Sequence, residues 1–300
     1  MQPTIHPVFE PITCSWQYIV ACLETKEAAI IDPVLYFEST LFTISSQAAD
    51  ALTELRFEKR LYSHYVTKDT CPWRPPLSLL LYPTNPLGPR PTTRPSLHPR
   101  EYQIVQAYYT HRYRIRKDEI KTAFDHLFKP DEKFHLGQMT GVALHLPGHT
   151  ADHGGHKLGD NVFMGDCMFN ADVGRGRCDF PGGDVQSQFQ SMQRLLSFPP
   201  EKKLYTGHDY PPAPTNQHPS RNPLPYSTVA EEKEKNKYLE DDSWRLSSGE
   251  ISGIKVSVGP RLVHQALQIN IRGGKMPSRS CDGKAFMLYA LDVPRVLLTG

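Results

Sequence analysis

The residues best suited to chemistry lie at the ends of two apolar runs. His149 stands in Leu-Pro-Gly-His-Thr, and Asp166 follows Val-Phe-Met-Gly seventeen residues later. Each lies in a glycine-containing turn, which predicts two strands that deliver both side chains to one rim of a sheet. A neutral imidazole and a carboxylate at one rim supply two of the three ligands of a facial triad for non-haem Fe(II), and they also suit zinc. Another histidine, His208, follows in Tyr-Thr-Gly-His-Asp-Tyr.

The order of these motifs resembles that of the metallo-β-lactamase superfamily. Residues 176–184, Gly-Arg-Cys-Asp-Phe-Pro-Gly-Gly-Asp, narrow the resemblance to the persulfide dioxygenase branch, a close relative of glyoxalase II. Residues 14–21 and 28–34 resemble the family's opening strands, and residues 227–236 and 260–274 resemble its C-terminal helical segments. The resemblance therefore covers most of the chain.

This resemblance implies an α/β fold, an αββα sandwich in which two mixed β-sheets lie between helices. It predicts a single domain over residues 1–300, with a C-terminal helical and strand extension over residues 227–300. Apolar and helical periodicity independently predicts strands over 16–23, 28–32, 133–137, 140–146, 161–165 and 203–206. The same reasoning predicts helices over 45–59 and 186–197, and helix-like spacing over 103–111 and 118–128.

One family motif is absent. The first metal-binding motif, His-x-His-x-Asp-His, should fall near residues 60–75, and only Ser-His at positions 63 and 64 can stand for its beginning. His64 is therefore the weakest of the candidate metal ligands. Lys68 and Asp69 then occupy the places of the motif's Asp and last His. Because a lysine cation repels a metal ion, the sequence disfavours a two-metal hydrolase more strongly than a one-metal oxygenase.

The segment that follows is atypical. Residues 65–99 form a proline-rich insertion or replaced segment, in which nine prolines lie between positions 72 and 99. Proline fixes φ and removes a hydrogen-bond donor, so neither a helix nor a central strand fits there. We expect an extended, exposed loop in place of the helix that the family carries after its first metal motif.

The resemblance assigns roles to the residues near the rim. It makes His149 and Asp166 metal ligands and catalytic residues, and it places His208 either beside these ligands or on a second metal ion. It places Arg177 where the carboxylate of glutathione is held, a contact that suits a planar guanidinium. Tyr210 is expected to line the substrate channel.

Neighbouring residues have plainer interpretations. Because His153 and His156 fall where the family begins its next strand, we expect structural roles for them. Cys178 has no base beside it in the sequence, so we expect a packed or redox-sensitive thiol rather than a nucleophile. Asp179 is expected to brace its loop.

The implied activity is that of a glutathione-dependent persulfide dioxygenase. Such an enzyme oxidises glutathione persulfide to sulfite and glutathione in hydrogen sulfide catabolism and holds one Fe(II) per chain. Zinc is the alternative metal, and the incomplete motif predicts impaired activity. Two alternatives stay open. One is a glyoxalase II-like hydrolase (hydroxyacylglutathione hydrolase) of a glutathione thioester, and the other is a catalytically inactive protein of the same fold.

Composition excludes several classes of protein. The 300 residues suit one or two domains, with 39% hydrophobic residues, 22% charged residues and a formal net charge of +2. Near-neutral charge predicts neither a nucleic-acid nor a membrane partner. The sequence contains no apolar run of about 18 residues, so a membrane-spanning helix is not expected. Six cysteines without paired spacing and a start that lacks a signal pattern predict a cytoplasmic protein, with mitochondria as the alternative. A homodimer is left open.

Overall fold

The structure is a computed structural model of the chain. It describes residues 1–38, 43–45, 47–67, 110–116, 118–119, 126–180, 182–211, 220–239, 263–272 and 276–289. The predicted loop between positions 72 and 99, Lys68 and Asp69, and most of the predicted helices at 103–111 and 118–128 lie outside these residues.

The first sheet is built from the N-terminal part of the chain. Its strands are β1 (Thr4–Glu10), β2 (Ser15–Ala21), β3 (Glu27–Ile31) and β6 (Tyr62–Thr67), in the order β1-β2-β3-β6. β1, β2 and β3 are antiparallel neighbours, whereas β3 and β6 are parallel. A short hairpin of β4 (Tyr36–Glu38) and β5 (Thr43–Ser45), followed by helix α1 (Gln47–Glu58), connects the parallel pair.

The second sheet carries the predicted motifs. Its strands are β7 (Lys133–Leu136), β8 (Met139–His145), β9 (Gly154–Leu158), β10 (Asn161–Gly165), β11 (Lys203–Thr206) and β12 (Tyr226–Thr228). Their order is β12-β11-β10-β9-β8-β7, and only β10 and β11 are parallel. Helix α2 (Val185–Leu196) connects β10 to β11. Helices α3 (Val229–Lys235) and α4 (Val263–Asn270) follow.

Alternation along the strands sorts side chains between the layers. In β10, Phe163 packs between the two sheets against Tyr18 of β2, whereas Val162 and Met164 face the other way. The helix-facing cluster includes Leu195 of α2, and Leu52 of α1 packs on the outer face of the first sheet. Helix, sheet, sheet and helix therefore form four layers, and the predicted αββα architecture with two mixed sheets is confirmed.

The predicted elements match the observed ones to within about two residues, the usual uncertainty at element ends. Among the strands that periodicity missed are β1 and β9, which carry weak strand signals, although the resemblance already placed the beginning of a strand near His153 and His156. β1 contains Pro7 on an edge strand, and β9 begins with two glycines, Gly154 and Gly155. In the described part of the chain, no helix is long and apolar enough to cross a membrane.

Candidate metal centre

Three polar side chains meet at one rim of the second sheet. His149 lies in the turn after β8, Asp166 follows β10 directly, and His208 lies two residues after β11. Because β10 and β11 are parallel neighbours, their carboxyl ends lie at the same edge. The amide of Gly207 also donates to the carbonyl of Gly165 at 2.9 Å, which joins the two turns.

Asp166 lies between the two imidazoles. Its Oδ2 atom is 3.7 Å from Nε2 of His149 and 3.5 Å from Nε2 of His208. The three residues are nearly inaccessible to water: the exposed fraction is 2% for Asp166, 1% for His149 and 5% for His208. A carboxylate buried from water beside two imidazoles requires a compensating positive charge, which a proton or a metal ion can supply.

The turn that carries His149 is shaped by the start of α2. Gly148 has a φ of 140°, and a Cβ atom there would lie 2.2 Å from Cα of Gln188. The amide of Asp184, the N-cap of α2, donates to the carbonyl of Gly148 at 2.9 Å. Only glycine combines this backbone conformation with this approach to the helix. The Pro-Gly-His-Thr motif is thus a local requirement of the fold.

His149 is oriented by the loop that follows Asp166. Its Nδ1 atom lies 2.7 Å from the carbonyl oxygen of Arg177. A carbonyl only accepts, so Nδ1 carries the hydrogen and the lone pair of Nε2 points at Asp166. A Cβ atom at Gly176 would lie 2.0 Å from the carbonyl of Asp166 and 3.2 Å from Nδ1 of His149. The loop can therefore approach the site this closely only with glycine at that position.

His208 is oriented by a loop of the first sheet. Its Nδ1 atom lies 3.2 Å from the carbonyl of Thr13, 3.3 Å from the carbonyl of Cys14 and 3.2 Å from Oγ of Ser15. The two carbonyls and the Ser15 hydroxyl together favour a hydrogen on Nδ1, which leaves Nε2 as the acceptor beside Asp166. Sequence reasoning missed this loop, because nothing in the spacing links residues 13–15 to position 208.

The donor set fits a metal ion in its chemistry and orientation. Two imidazole lone pairs directed at one carboxylate repel it unless a proton or a metal cation lies between them, and two His with one Asp suit Fe(II) or zinc. Two donors on one ion, with bonds of about 2.1 Å, lie roughly 3.0–3.4 Å apart, so the donors would have to move closer together on binding. Accordingly, among the described residues no group of three or more His, Cys, Asp or Glu side chains already closes around one ion position.

Aromatic rings border the two histidines. Tyr210, which is 44% exposed, stacks on His208 with ring centroids 5.4 Å apart and planes at 14°. Phe169 contacts Tyr210 edge-on at 5.7 Å. On the other side, Phe180 meets His149 edge-on at 5.0 Å. Tyr210 was predicted from the sequence; Phe169 and Phe180 were missed, because aromatic residues beside a motif more often belong to the core.

Arg177 contributes through both its backbone and its side chain. Its guanidinium donates from Nε and Nη2 to the carboxylate of Asp179 and lies 5.1 Å above the ring of Phe180. This guanidinium holds the pKa of Asp179 below its ordinary range. Asp179 therefore braces its loop as expected.

The remaining candidates do not face Asp166 in the described contacts or lie outside the described atoms, although the ring of His153 meets that of His149 edge-on, with centroids 5.6 Å apart. His64 is on β6, but its side chain is outside the described residues. His153 contacts the carbonyl of Met164 at 3.1 Å, and His156 packs beside Phe134, both structural roles. Cys178 is buried and accepts from Arg175 at 3.1 Å.

A buried ion pair fixes the residue after His208. Arg221 donates to both oxygens of Asp209 at 2.6 and 2.8 Å and to both oxygens of Asp172 at 2.7 Å. The amide of Leu224 donates to Asp209 at 2.7 Å. The carboxylate of Asp209 raises the pKa of Arg221 above its already high ordinary value. Arg221 thus joins the turn of His208 to the loop that follows Asp166.

Comparison with known proteins gives the same fold. No family model matches the chain. It is 32% identical over 292 residues to a beta-lactamase hydrolase-like protein of Xylella fastidiosa, covering 97% of this chain and 65% of that relative's length. It is 29% identical over 284 residues to glyoxylase B2 of Dictyostelium discoideum, covering 92% of each. The crystal structure of ETHE1 from Myxococcus xanthus superposes with a TM-score of 0.65 at 21% identity, covering 91% of this chain and 100% of that one.

The four layers and the rim of strand ends define the metallo-β-lactamase fold, as the superposition shows. These relatives and this fold support the resemblance of the chain to the metallo-β-lactamase superfamily. The chain spans 65% of the length of the Xylella relative.

Proposed function

We propose that this chain holds one metal ion between His149, Asp166 and His208, and that it acts with Fe(II) as a glutathione-dependent persulfide dioxygenase. The observation that carries this proposal is the convergence of both Nε2 atoms on Oδ2 of Asp166, at 3.7 and 3.5 Å, in a site closed to water. Two imidazoles and one carboxylate form the donor set typical of non-haem Fe(II) oxygenases. Zinc is the alternative metal.

The ligand set leaves room for the reaction. When bound, Fe(II) at two imidazoles and a carboxylate offers open coordination positions to a substrate sulfur and to O₂. Overall, glutathione persulfide, O₂ and one water give glutathione, sulfite and two protons, and the persulfide supplies all the electrons. The chain's own part is to hold the ligands, orient the substrate and exclude other water.

The walls of the site suit a peptide-like thiol. Tyr210 stacked on His208 and Phe180 beside His149 offer an apolar surface next to each of the two histidines. Arg177 lies at the edge of this site with its guanidinium partly exposed. We infer that this guanidinium contributes to binding a glutathione carboxylate.

A second candidate is hydrolysis of a glutathione thioester. The similarity to glyoxylase B2 over 92% of both chains favours it. Such hydrolysis commonly uses two metal ions and a metal-bound hydroxide. The two candidates therefore differ in metal content, in oxygen consumption and in product.

The test is metal analysis of the purified chain together with two assays. We expect about one iron per chain and oxygen uptake with glutathione persulfide, and no hydrolysis of S-lactoylglutathione. His149→Ala and Asp166→Ala should abolish oxygen uptake without unfolding the protein. His135→Ala, an exposed histidine on β7, is the control and should leave uptake unchanged. Two zinc ions per chain with thioester hydrolysis would establish the second candidate, and absence of metal and turnover would establish an inactive protein.

Arg177→Ala separates binding from turnover. The substitution removes a charge-assisted contact that is remote from the reacting sulfur, so we expect KM for glutathione persulfide to rise about 10-fold with kcat little changed. Steady-state oxygen uptake over a range of persulfide concentrations measures both constants. A loss of kcat of about 10-fold at saturating substrate would show instead that the Arg177 side chain holds in place the loop whose carbonyl orients His149.

A further inference from the structure

The chain around the start of β2 is hydrogen-bonded to the turn that carries His208. The amide of Trp16 donates to the carbonyl of Gly207 at 3.0 Å, and the amide of Asp209 donates to the carbonyl of Cys14 at 3.1 Å. These bonds join the start of a strand in the first sheet to the end of a strand in the second. The side chains of this segment are thereby placed against the imidazole of His208.

Two hydroxyl groups connect His208 to a buried carboxylate. Oγ of Ser15 lies 3.2 Å from Nδ1 of His208, and Oγ1 of Thr13 lies 2.8 Å from Oγ of Ser15. The Thr13 hydroxyl also lies 2.5 Å from Oε2 of Glu10. Ser15 has no exposed surface and Glu10 has 7%, so water competes little with these contacts.

The direction of each hydrogen bond follows from the carboxylate end. Oε1 of Glu10 accepts from the amide of Ile12 at 3.0 Å, and Oε2 accepts from the amide of Thr13 at 2.7 Å, so both oxygens act as acceptors. The Thr13 hydroxyl must then donate to Glu10, and its oxygen accepts from Ser15 at 2.8 Å, whereas the other acceptor within reach of the Ser15 hydroxyl, the carbonyl of Thr13, is 3.5 Å away. A hydroxyl has a single hydrogen, so Ser15 must accept from Nδ1 of His208.

We propose that Thr13 and Ser15 are positioning residues that link Glu10 to His208 and hold its imidazole with the hydrogen on Nδ1 and the lone pair of Nε2 directed at Asp166. The carbonyls of Thr13 and Cys14 support the same tautomer but carry no charge. The chain to Glu10 adds the pull of a carboxylate, which increases the basicity of Nε2. In known metal sites a single carboxylate usually does this directly.

The effect on metal binding rests on the proposed function, whereas the effect on the tautomer does not. Loss of an outer partner of a ligating histidine typically weakens metal binding about 10- to 100-fold. Because two carbonyl acceptors remain at Nδ1, we expect the lower end, about 10-fold, for Thr13→Val and for Ser15→Ala. Thr13→Ser keeps the hydroxyl and should bind metal as the unchanged protein does.

The experiment compares these variants in two states. In metal-free full-length protein, ¹⁵N NMR of labelled histidine reports which ring nitrogen of His208 carries the hydrogen, with His208→Asn used to assign the signal. In a competition titration with a chelator, the affinity for Zn²⁺ is then measured. Ser227→Ala is the matched control, because Ser227 is another buried serine that donates to a buried glutamate, Glu232, outside this chain of bonds.

The outcomes separate the two proposals. A hydrogen on Nδ1 in the unchanged protein and in Thr13→Ser, with a mixture of tautomers and weaker Zn²⁺ binding in Thr13→Val and Ser15→Ala, supports the positioning role. An unchanged ¹⁵N signal and unchanged Zn²⁺ affinity in both of those variants overturns it. If the unchanged protein binds no Zn²⁺, the proposed function fails, while the tautomer measurement still decides the role of Thr13 and Ser15.

Discussion

His149 and His208 flank the same carboxylate, yet different parts of the molecule hold them. His149 is held within the second sheet, by the carbonyl of Arg177 on a loop braced by a partly exposed ion pair with Asp179. His208 follows β11 of the second sheet but is held by three oxygens of residues 13–15, at the start of β2 in the first sheet. The first histidine therefore depends on the folding of its own loop, and the second depends on the docking of one sheet on the other.

The ion pairs beside the two histidines differ in how deeply their carboxylates are buried. The ion pair beside His208 joins Arg221 to Asp209, whose side chain has no exposed surface. On the His149 side the ion pair of Arg177 and Asp179 is about one-third exposed. Buried charges that lose their partner cost far more than exposed ones, because water cannot replace the partner. The two sides should therefore respond differently to the loss of one charge.

The largest expected effect comes from the residue that both sides share. Asp166→Asn keeps the shape of the side chain but removes the charge between the two imidazoles, so metal affinity should fall by about 100-fold or more. Competition with a chromophoric chelator measures it. Asp179→Asn is the control, since that carboxylate pairs with Arg177 on the neighbouring loop. Equal affinities in the two variants would show that the histidines do not meet on Asp166.

The second prediction compares the two arginines. Arg221→Gln leaves the buried carboxylate of Asp209 without its cation and should lower the free energy of unfolding by about 3 kcal/mol. Arg177→Gln breaks a partly exposed pair and should cost less than about 1 kcal/mol. Urea unfolding at neutral pH measures both. If the two substitutions lower the free energy of unfolding equally, the proposed contrast between the buried and the partly exposed ion pair is wrong.

The third prediction concerns the loop on the His149 side. Asn236 donates from its side chain to the carbonyl of Gly174 at 3.3 Å and to Glu232 at 2.8 Å. Burial raises the pKa of Glu232 to about 7 from its ordinary 4.5. The folded protein thus holds a proton that the unfolded chain has released, and Glu232 lowers stability increasingly as pH rises from 4.5 to 7. Over that window the loss should reach about 2–3 kcal/mol.

Glu232→Gln should abolish this pH dependence, as urea unfolding at several pH values would show. Glu231 is the matched control with the opposite sign. It caps α3 through Thr228, and these hydrogen bonds lower its pKa, so its contribution is present above the ordinary pKa and is lost as pH falls. A decline in stability toward neutral pH that persists in Glu232→Gln would place its origin elsewhere.

Much of the centre could be predicted from local sequence. His149 and Asp166 follow apolar runs in glycine turns, and such turns place side chains at strand ends whatever the rest of the chain does. Gly148 and Gly176 are part of the same motifs, and the structure shows that a Cβ atom at either would collide with backbone atoms. The αββα layers were implied by the resemblance, whereas periodicity predicted individual strands and helices.

Other parts of the centre depend on contacts that spacing does not encode. Ser15 and His208 are separated by 193 positions, and only the docking of the two sheets brings them together. Phe180 meets the imidazole of His149 edge-on and Tyr210 stacks on that of His208, because the tertiary fold brings their loops there. A side chain's identity gives its chemistry but not its neighbours.

The sequence by itself determined the types of donor and their place at the ends of β8, β10 and β11, because a strand followed by a glycine turn is a local structure. Only the tertiary structure decided that Nε2 of both histidines faces Asp166. That orientation depends on acceptors for Nδ1, which come from the Arg177 loop and from residues 13–15. These acceptors are backbone carbonyls and a hydroxyl, groups so common along any chain that only their position in space distinguishes them.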